Sequence, residues 1–191
     1  LKADVRTSHI PIVLLTAKAD VDSKLTGLKQ GADAYLAKPF NQEELFIRLE
    51  KLHELRRQLQ TRYSALTALP PNKSHQQSAY YSIRAQTEDA FIQKLRGTVE
   101  ANLDNENFGI PELCKAMAMS RSQLHLKIKA LTNRSTSHYV RAIRLHKARA
   151  LLQHSDLNIT EVAFEVGFND SSYFTRVFRE EFGYSPKEER N

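Results

Sequence analysis

The chain has little sulfur and few long apolar runs. Among 191 residues there is one cysteine, Cys114, and no tryptophan. A single thiol excludes an internal disulfide, so any fold must rest on its hydrophobic core. Such usage fits a reducing compartment, and a cytoplasmic location is expected. Cys114 sits in Leu113-Cys114-Lys115-Ala116-Met117, which has the character of a buried helix face, so inert packing is expected of it. The longest apolar run, residues 10–15, is six residues and includes Pro11. A bilayer span needs roughly 20, so no membrane contact is expected from this chain. No signal-peptide pattern opens it. Leu1-Lys2-Ala3 starts without a Met and as if inside a helix; an upstream part is expected, and any membrane anchor of the parent protein would lie there.

Catalytic patterns are missing too. There is no P-loop, no HExxH and no nucleophile elbow. His138 and His146 are two helical turns apart, too far to share a metal. No catalytic residue, metal or cofactor is expected, and the chain does not read as an enzyme. The most informative absence is of acid. Residues 113–155 contain no Asp or Glu, but hold Lys115, Arg121, Lys127, Lys129, Arg134, Arg141, Arg144, Lys147 and Arg149, with His125, His138, His146 and His154 among them. Soluble surfaces ordinarily mix both signs, and a one-signed field attracts a polyanion, most commonly nucleic acid. The net charge of +6 is less telling, because both halves of the chain are about equally basic. Two other readings compete: a basic helical bundle with no partner, and a protein-binding module facing an acidic surface.

The first sixty residues alternate. Ile10-Pro11-Ile12-Val13-Leu14-Leu15-Thr16 is a β-branched run expected to form a strand buried on both faces. Residues 20–30 place Val21, Leu25 and Leu28 at helical spacing, with Gly31 as a C-terminal cap. Ala34-Tyr35-Leu36-Ala37 is a second short strand. Asn41 starts a long helix with an apolar stripe of Leu45, Leu49, Leu52, Leu55 and Leu59. Strand, helix, strand, helix is the order of parallel α/β winding. Residues 61–86 carry Pro70-Pro71 and a Ser/Gln-rich run, and are expected to be a flexible linker.

From residue 87 the pattern is all helical. Thr87 is expected to cap a helix with Glu88 and Asp89 in its first turn. Then a unit repeats. Residues 112–117 form a short helix, Ala118-Met119 a turn, and Ser120 opens a second helix with Leu124, Ile128 and Leu131 inward. Residues 161–166 form a short helix, Gly167-Phe168-Asn169 a turn, and Asp170 opens a helix with Phe174, Phe178 and Phe182 inward. Leu124 aligns with Phe174 and Ile128 with Phe178. Asn133 aligns with Gly183, and both suit the left-handed conformation after a helix. Residues 137–154 form a connecting helix of ~27 Å, long enough to hold two reading helices about one DNA turn apart. The acid-free stretch is then one reading helix plus this rod, and its basic residues outside the apolar stripe are expected to line phosphates. The fold class is therefore mainly α: a partial α/β segment with two parallel strands, then an all-α domain of two helix-turn-helix units joined by a long helix.

Both parts resemble known families. Pro11-Ile12-Val13-Leu14-Leu15-Thr16-Ala17 followed by Gly31-Ala32-Asp33-Ala34-Tyr35-Leu36-Ala37-Lys38-Pro39-Phe40 resembles the C-terminal half of a two-component receiver domain, over roughly residues 1–58. The resemblance implies that Thr16 would hydrogen-bond an aspartyl phosphate, that Lys38, ahead of a cis proline, would pair with it, and that Tyr35 would swing with phosphorylation. The phospho-acceptor Asp and the Mg²⁺-binding acids belong to the family's first three strands, and Asp4, Asp20, Asp22 and Asp33 match none of them. Phospho-acceptance is therefore not expected of this chain, and Thr16, Tyr35 and Lys38 stand as remnants of the switch.

Residues 88–190 resemble the DNA-binding domain of AraC-family regulators. The most specific stretch runs from Ile159-Thr160-Glu161-Val162-Ala163 through Gly167-Phe168-Asn169-Asp170-Ser171-Ser172-Tyr173-Phe174 to Phe182-Gly183-Tyr184-Ser185-Pro186, supported by Met119-Ser120-Arg121-Ser122-Gln123-Leu124-His125. The resemblance implies that the second helix of each unit enters a major groove, so that one duplex is met in two adjacent grooves. The faces would be Arg121, Ser122, His125 and Leu126 in the first unit, and Ser171, Ser172, Thr175 and Arg176 in the second. Arg176 is the best base reader, since a guanidinium can bond both guanine acceptors. Three positions depart from the family: Leu126 replaces a common Arg, Thr136 a common Pro, and Glu189 a usual aromatic, which is expected to leave the last helix loose or short. The expected function is a sequence-specific transcription regulator at the effector end of a two-component phosphorelay protein, either a response regulator or a hybrid sensor kinase. A homodimer through the receiver segment and contact with RNA polymerase are further partners this reading allows.

Overall fold

The computed structural model describes residues 1–17, 21–64, 79–105 and 108–190. Residues 1–10 form a series of turns rather than a helix; Asp4 accepts from the Thr7 and Ser8 amides, and its carboxylate is held by Arg6. Next come β1 (Val13–Thr16), α1 (Val21–Lys29), β2 (Ala34–Ala37) and α2 (Gln42–Ser64). The strands pair in parallel, with Val13 opposite Ala34 and Thr16 opposite Ala37. β2 is the buried strand. β1 is not buried on both faces as its composition leads one to expect: Leu14 is 37% and Leu15 49% exposed. A two-stranded sheet gives β1 one neighbour only, so its apolar residues face solvent where further strands or helices would cover them.

The Leu stripe on α2 is likewise divided. Phe46, Ile47 and Leu49 are exposed, whereas Leu59 packs against the core of the helical domain and Tyr63 is buried within it. The middle of the expected linker, residues 65–78, lies outside the described residues. Its two ends are helical: α2 runs to Ser64, and α3 spans Ala79–Glu100. Thr87 is accordingly inside α3 rather than at its cap, because no Gly or Pro between 79 and 87 stops the helix.

α4 (Ile110–Met117), α5 (Arg121–Thr132), α6 (Thr136–His154), α7 (Ile159–Glu165), α8 (Ser171–Phe182) and α9 (Pro186–Arg190) complete the chain. The punctuation is local chemistry. Ser120 and Gln123 form a reciprocal capping box at the start of α5. Asn158 and Glu161 do the same for α7, and the Asp170 side chain accepts from the Tyr173 amide at α8. Each such cap stabilises its helix by about 1 kcal/mol. Asn133 (φ 58°) and Gly183 (φ 85°) both end their helices in the left-handed conformation, as the alignment of the two units requires.

Two cores result, and α6 belongs to both. Its N-terminal half gives Tyr139, Ala142 and Ile143 to a core shared with α2, α3, α4 and α5. Its C-terminal half gives Leu145, Ala148 and Leu152 to a core shared with α7 and α8. The aligned pairs Leu124 with Phe174 and Ile128 with Phe178 are all 0% exposed. α9 is five residues long but firmly docked. The Glu189 carboxylate is 3.1 Å from Arg149 Nε, accepts from Gln153, and has its side chain 6% exposed. The charge at this position is paired with α6, so the short final helix is not loose.

Candidate nucleic-acid interface

The first-unit face comes out as one patch. Arg121, Ser122, His125 and Leu126 are all exposed on α5, and Leu126 is 61% so. With Ile110 and Ser135-Thr136-Ser137 they line a groove of about 520 Å³. The groove's floor is the start of α6, whose Ser135 side chain caps the His138 amide. A helix start directs unpaired amides and a partial positive charge outward, which favours a phosphate oxygen. Thr136, standing at the first position of α6, is buried.

A second groove of about 420 Å³ lies beside the first and shares Ile110 and Ser137 with it. It runs past His138, Arg141 and Arg144 to Asn169, Asp170 and Tyr173 at the start of α8. Arg141 donates to the Tyr173 hydroxyl at 3.2 Å, and the Arg176 guanidinium lies 5.2 Å from the Tyr173 ring centre. Tyr173 thus joins the connector to the second-unit face, a role that its place in the repeat did not reveal. The signal was available: an aromatic at an exposed position next to inward Phe174.

On α8, Ser172 and Arg176 are exposed, whereas Ser171 and Thr175 are half-buried. The Thr175 hydroxyl is already turned back to the Ser171 carbonyl at 2.9 Å. The side chain of Arg176 is 66% exposed, and its ion pair with Glu180 is long, at 3.5 Å. Exposed i,i+4 pairs contribute little, so this guanidinium can exchange partners at small cost.

The acid-free stretch behaves differently from its composition. Acids from outside it pair with three of its nine basic side chains, and backbone carbonyls hold two more. Lys127 is fully buried against Glu88, with Nζ–Oε2 2.5 Å; Arg134 pairs with Glu181 at 2.9 Å and Arg149 with Glu189. Arg144 donates to the Gly167 carbonyl, Lys129 to the Asn133 carbonyl. Burial pushes Arg144 below the ordinary range of an arginine. The expectation that the basic residues beside the apolar stripe line phosphates therefore narrows to Arg121, Arg141 and Lys147 with the exposed Lys115. Sequence proximity placed cations together, but ion pairing is set by what the fold brings to them.

In the N-terminal segment Thr16 ends β1, Tyr35 is buried within β2, and Lys38 follows β2 with an exposed side chain and a cis peptide bond to Pro39. The Lys38 amide donates to the Thr16 carbonyl at 2.7 Å, so Thr16 and Lys38 share the C-terminal edge of the sheet. No helix among the described residues is long and apolar enough to cross a membrane.

Comparison with known proteins bears on both segments. A family described as "Helix-turn-helix domain" matches residues 113–191. A transcriptional regulator from Chromobacterium violaceum, one of the AraC-type DNA-binding domain-containing proteins, superposes with a TM-score of 0.51 at 27% identity, over 55% of this chain and 93% of that one. The C-terminal part of this chain is an AraC-type helix-turn-helix domain. The HTH-type transcriptional activator RhaS of Klebsiella pneumoniae is 36% identical over 106 residues, which are 56% of this chain and 38% of that protein. "Histidine kinase P4" of Formosa agariphila is 33% identical along the whole of this chain, N-terminal segment included, and this chain spans 13% of its length.

Proposed function

We propose that this chain is the effector end of a two-component phosphorelay protein, a transcription regulator that binds DNA through its AraC-type domain and reads sequence with α5 and α8. The observation that carries the reading is the pair of neighbouring grooves, one beside the exposed α5 face and one reaching Tyr173 of α8, which share Ile110 and Ser137 near the start of α6. In this reading α5 presents Arg121, Ser122, His125 and Leu126 to one major groove, and α8 presents Ser171, Ser172, Thr175 and Arg176 to the next. His138, Arg141 and the first amides of α6 hold the phosphates between them. Phosphate contacts fix the register, and base contacts give the specificity. Leu126 packs on a thymine methyl where an arginine would take a guanine.

The relay assignment draws on the N-terminal segment. Its β1–α1–β2–α2 order, the placement of Thr16, Tyr35 and Lys38, and the full-length match to a protein named as a histidine kinase all support a receiver half feeding the DNA-binding domain. Phosphorylation of a complete receiver would then alter pairing of two chains through this segment, and paired chains would hold tandem sites by avidity. Contact with RNA polymerase would follow from promoter occupancy. The chain acts by binding, not by catalysis.

The test is selection of this chain against a random duplex library at two salt concentrations. Two enriched boxes about one helical turn apart are expected, with affinity falling steeply as salt rises. Binding without enrichment would mean phosphate contact without base reading. No binding at low salt would favour an acidic protein partner instead.

A further inference from the structure

Behind the first-unit face, a residue of the N-terminal segment is built into a buried polar cluster. Ser8 is 2% exposed; Glu88 on α3 and Lys127 on α5 are 0% exposed. The Ser8 hydroxyl donates to Glu88 Oε1 at 2.7 Å and accepts from Lys127 Nζ at 2.8 Å, while Lys127 pairs with Glu88 Oε2. The ammonium also lies 4.7 Å from the Phe91 ring centre. Three elements far apart in sequence meet in one cluster. A second tie lies beside it: Gln60 Nε2 on α2 donates to the Ala130 carbonyl near the end of α5 at 3.2 Å. Both ties reach the side of α5 that holds buried Lys127, Ile128, Ala130 and Leu131, away from exposed Arg121, Ser122, His125 and Leu126.

A buried ion pair is weak evidence for stability, because desolvation offsets most of its attraction; its best-attested use is to fix one arrangement. Apolar contacts alone let a helix slide or roll, whereas a charged pair with a third, directional partner does not. Without Ser8, Lys127 and Glu88 keep each other but lose the group that joins them to the N-terminal segment. We propose that Ser8, with Gln60 as a second tie, is a positioning residue for α5: the N-terminal segment sets the first reading helix from behind, and so adjusts how the first unit reads its box without covering its face. This rests on the DNA-binding reading above. The contact leaves the α5 face open, so docking of the N-terminal segment permits binding rather than blocks it.

The experiment uses the full 191-residue chain and the two-box duplex obtained by selection. The box in which Arg176→Ala relaxes a base belongs to the second unit; the other belongs to the first. Affinities of the wild type, Ser8→Ala and Gln60→Ala are measured on the intact duplex and on one whose first-unit box is scrambled. Thermal unfolding confirms that each variant is folded. Ser8→Ala should lose about 5–10-fold on the intact duplex, the low end of ordinary coupling between sites. Gln60→Ala should lose less, and neither should lose anything on the scrambled duplex. Equal losses on both duplexes would mean general destabilisation, and no loss on either would mean that the cluster positions nothing; both overturn the proposal. A wild-type chain that prefers no sequence would overturn the DNA-reading premise itself, an outcome visible before any variant is made.

Discussion

The two helix-turn-helix units share one pattern but not one way of being held. The second is nearly self-contained. Phe168, Phe174, Phe178, Phe182 and Tyr184 form a run of ring contacts, Phe178 and Phe182 at 4.6 Å, closed by α6 and α7. The first is held from outside, by Tyr63 of α2, by α3, and by the Ser8–Glu88–Lys127 cluster. A duplicated sequence thus specifies a repeated shape, while the neighbours decide how independent each copy is. The unit with the stronger base-reading candidate, Arg176, is the one that packs largely on itself.

The contrast breaks most clearly at Lys127. Lys127→Met leaves Glu88 buried without its cation, a loss of about 3–5 kcal/mol for such pairs. Adding Glu88→Leu should restore most of it, since an apolar pair of similar volume is often neutral. Chemical denaturation of both variants and of the wild type measures this cycle. Failure of the double variant to recover would mean that packing around the pair, not charge, holds the first unit.

In the second unit the corresponding weak point is a backbone one. Gly167 has φ of 79°, and a Cβ there would meet the Leu103 carbonyl oxygen and the Arg144 guanidinium. Gly167→Ala therefore adds left-handed strain of roughly 1–2 kcal/mol to a clash that backbone cannot relieve. We expect a loss of about 3 kcal/mol in thermal unfolding. Because Arg144 ties the second turn to the region of Phe108, the change should also weaken two-box binding more than binding to either box alone.

The reading faces give a smaller effect. Arg176→Ala should cost about 1–3 kcal/mol of DNA affinity and relax one base position. A uniform loss across sequences would assign Arg176 to a phosphate. Leu126→Arg tests the other side: a gain of preference for guanine in the first box would show that this face is set to read and lacks only the donor.

Much of this was legible in the sequence because it depends on local rules. Helix starts at Ser120 and Asp170, left-handed ends at Asn133 and Gly183, and the inward series Leu124, Ile128, Phe174 and Phe178 all follow from capping and periodicity. What escaped depends on distant partners. Glu88 reads as a first-turn acid, but lies eighty residues from Ser8 and forms a buried pair with Lys127. Glu189 reads as a missing aromatic, but is paired with Arg149. The charge of residues 113–155 reads as free because its counter-ions come from α3, α8 and α9. Fold-level pairing of this kind leaves no spacing in the sequence to count. The candidate base-reading residues follow from one helix face at a time; the meeting of two grooves at Ile110 and Ser137, and the place of Tyr173 in one of them, depend on α4, α6 and α8 together.

The smallest expected effect separates the second core from the first by pH. His146 lies edge-on to Phe182, with ring centres 5.1 Å apart. Burial holds its pKa below the ordinary 6.5, the neighbouring Glu181 carboxylate opposing that shift and Arg134, Arg149 and Arg96 adding to it. A histidine whose folded pKa is depressed takes up its proton first in the unfolded chain. Its contribution is therefore fully present above about pH 6.5, where neither state is protonated, and is lost as pH falls through the folded value. Thermal unfolding between pH 7.5 and 5.5 should show a midpoint that falls with acidity. In His146→Leu that fall should be shallower, because the side chain keeps its contact with Phe182 and has no proton to gain. Equal slopes in the two proteins would mean that His146 titrates alike in the folded and unfolded chain. The acid sensitivity would then have to come from a group other than the ring packed on Phe182.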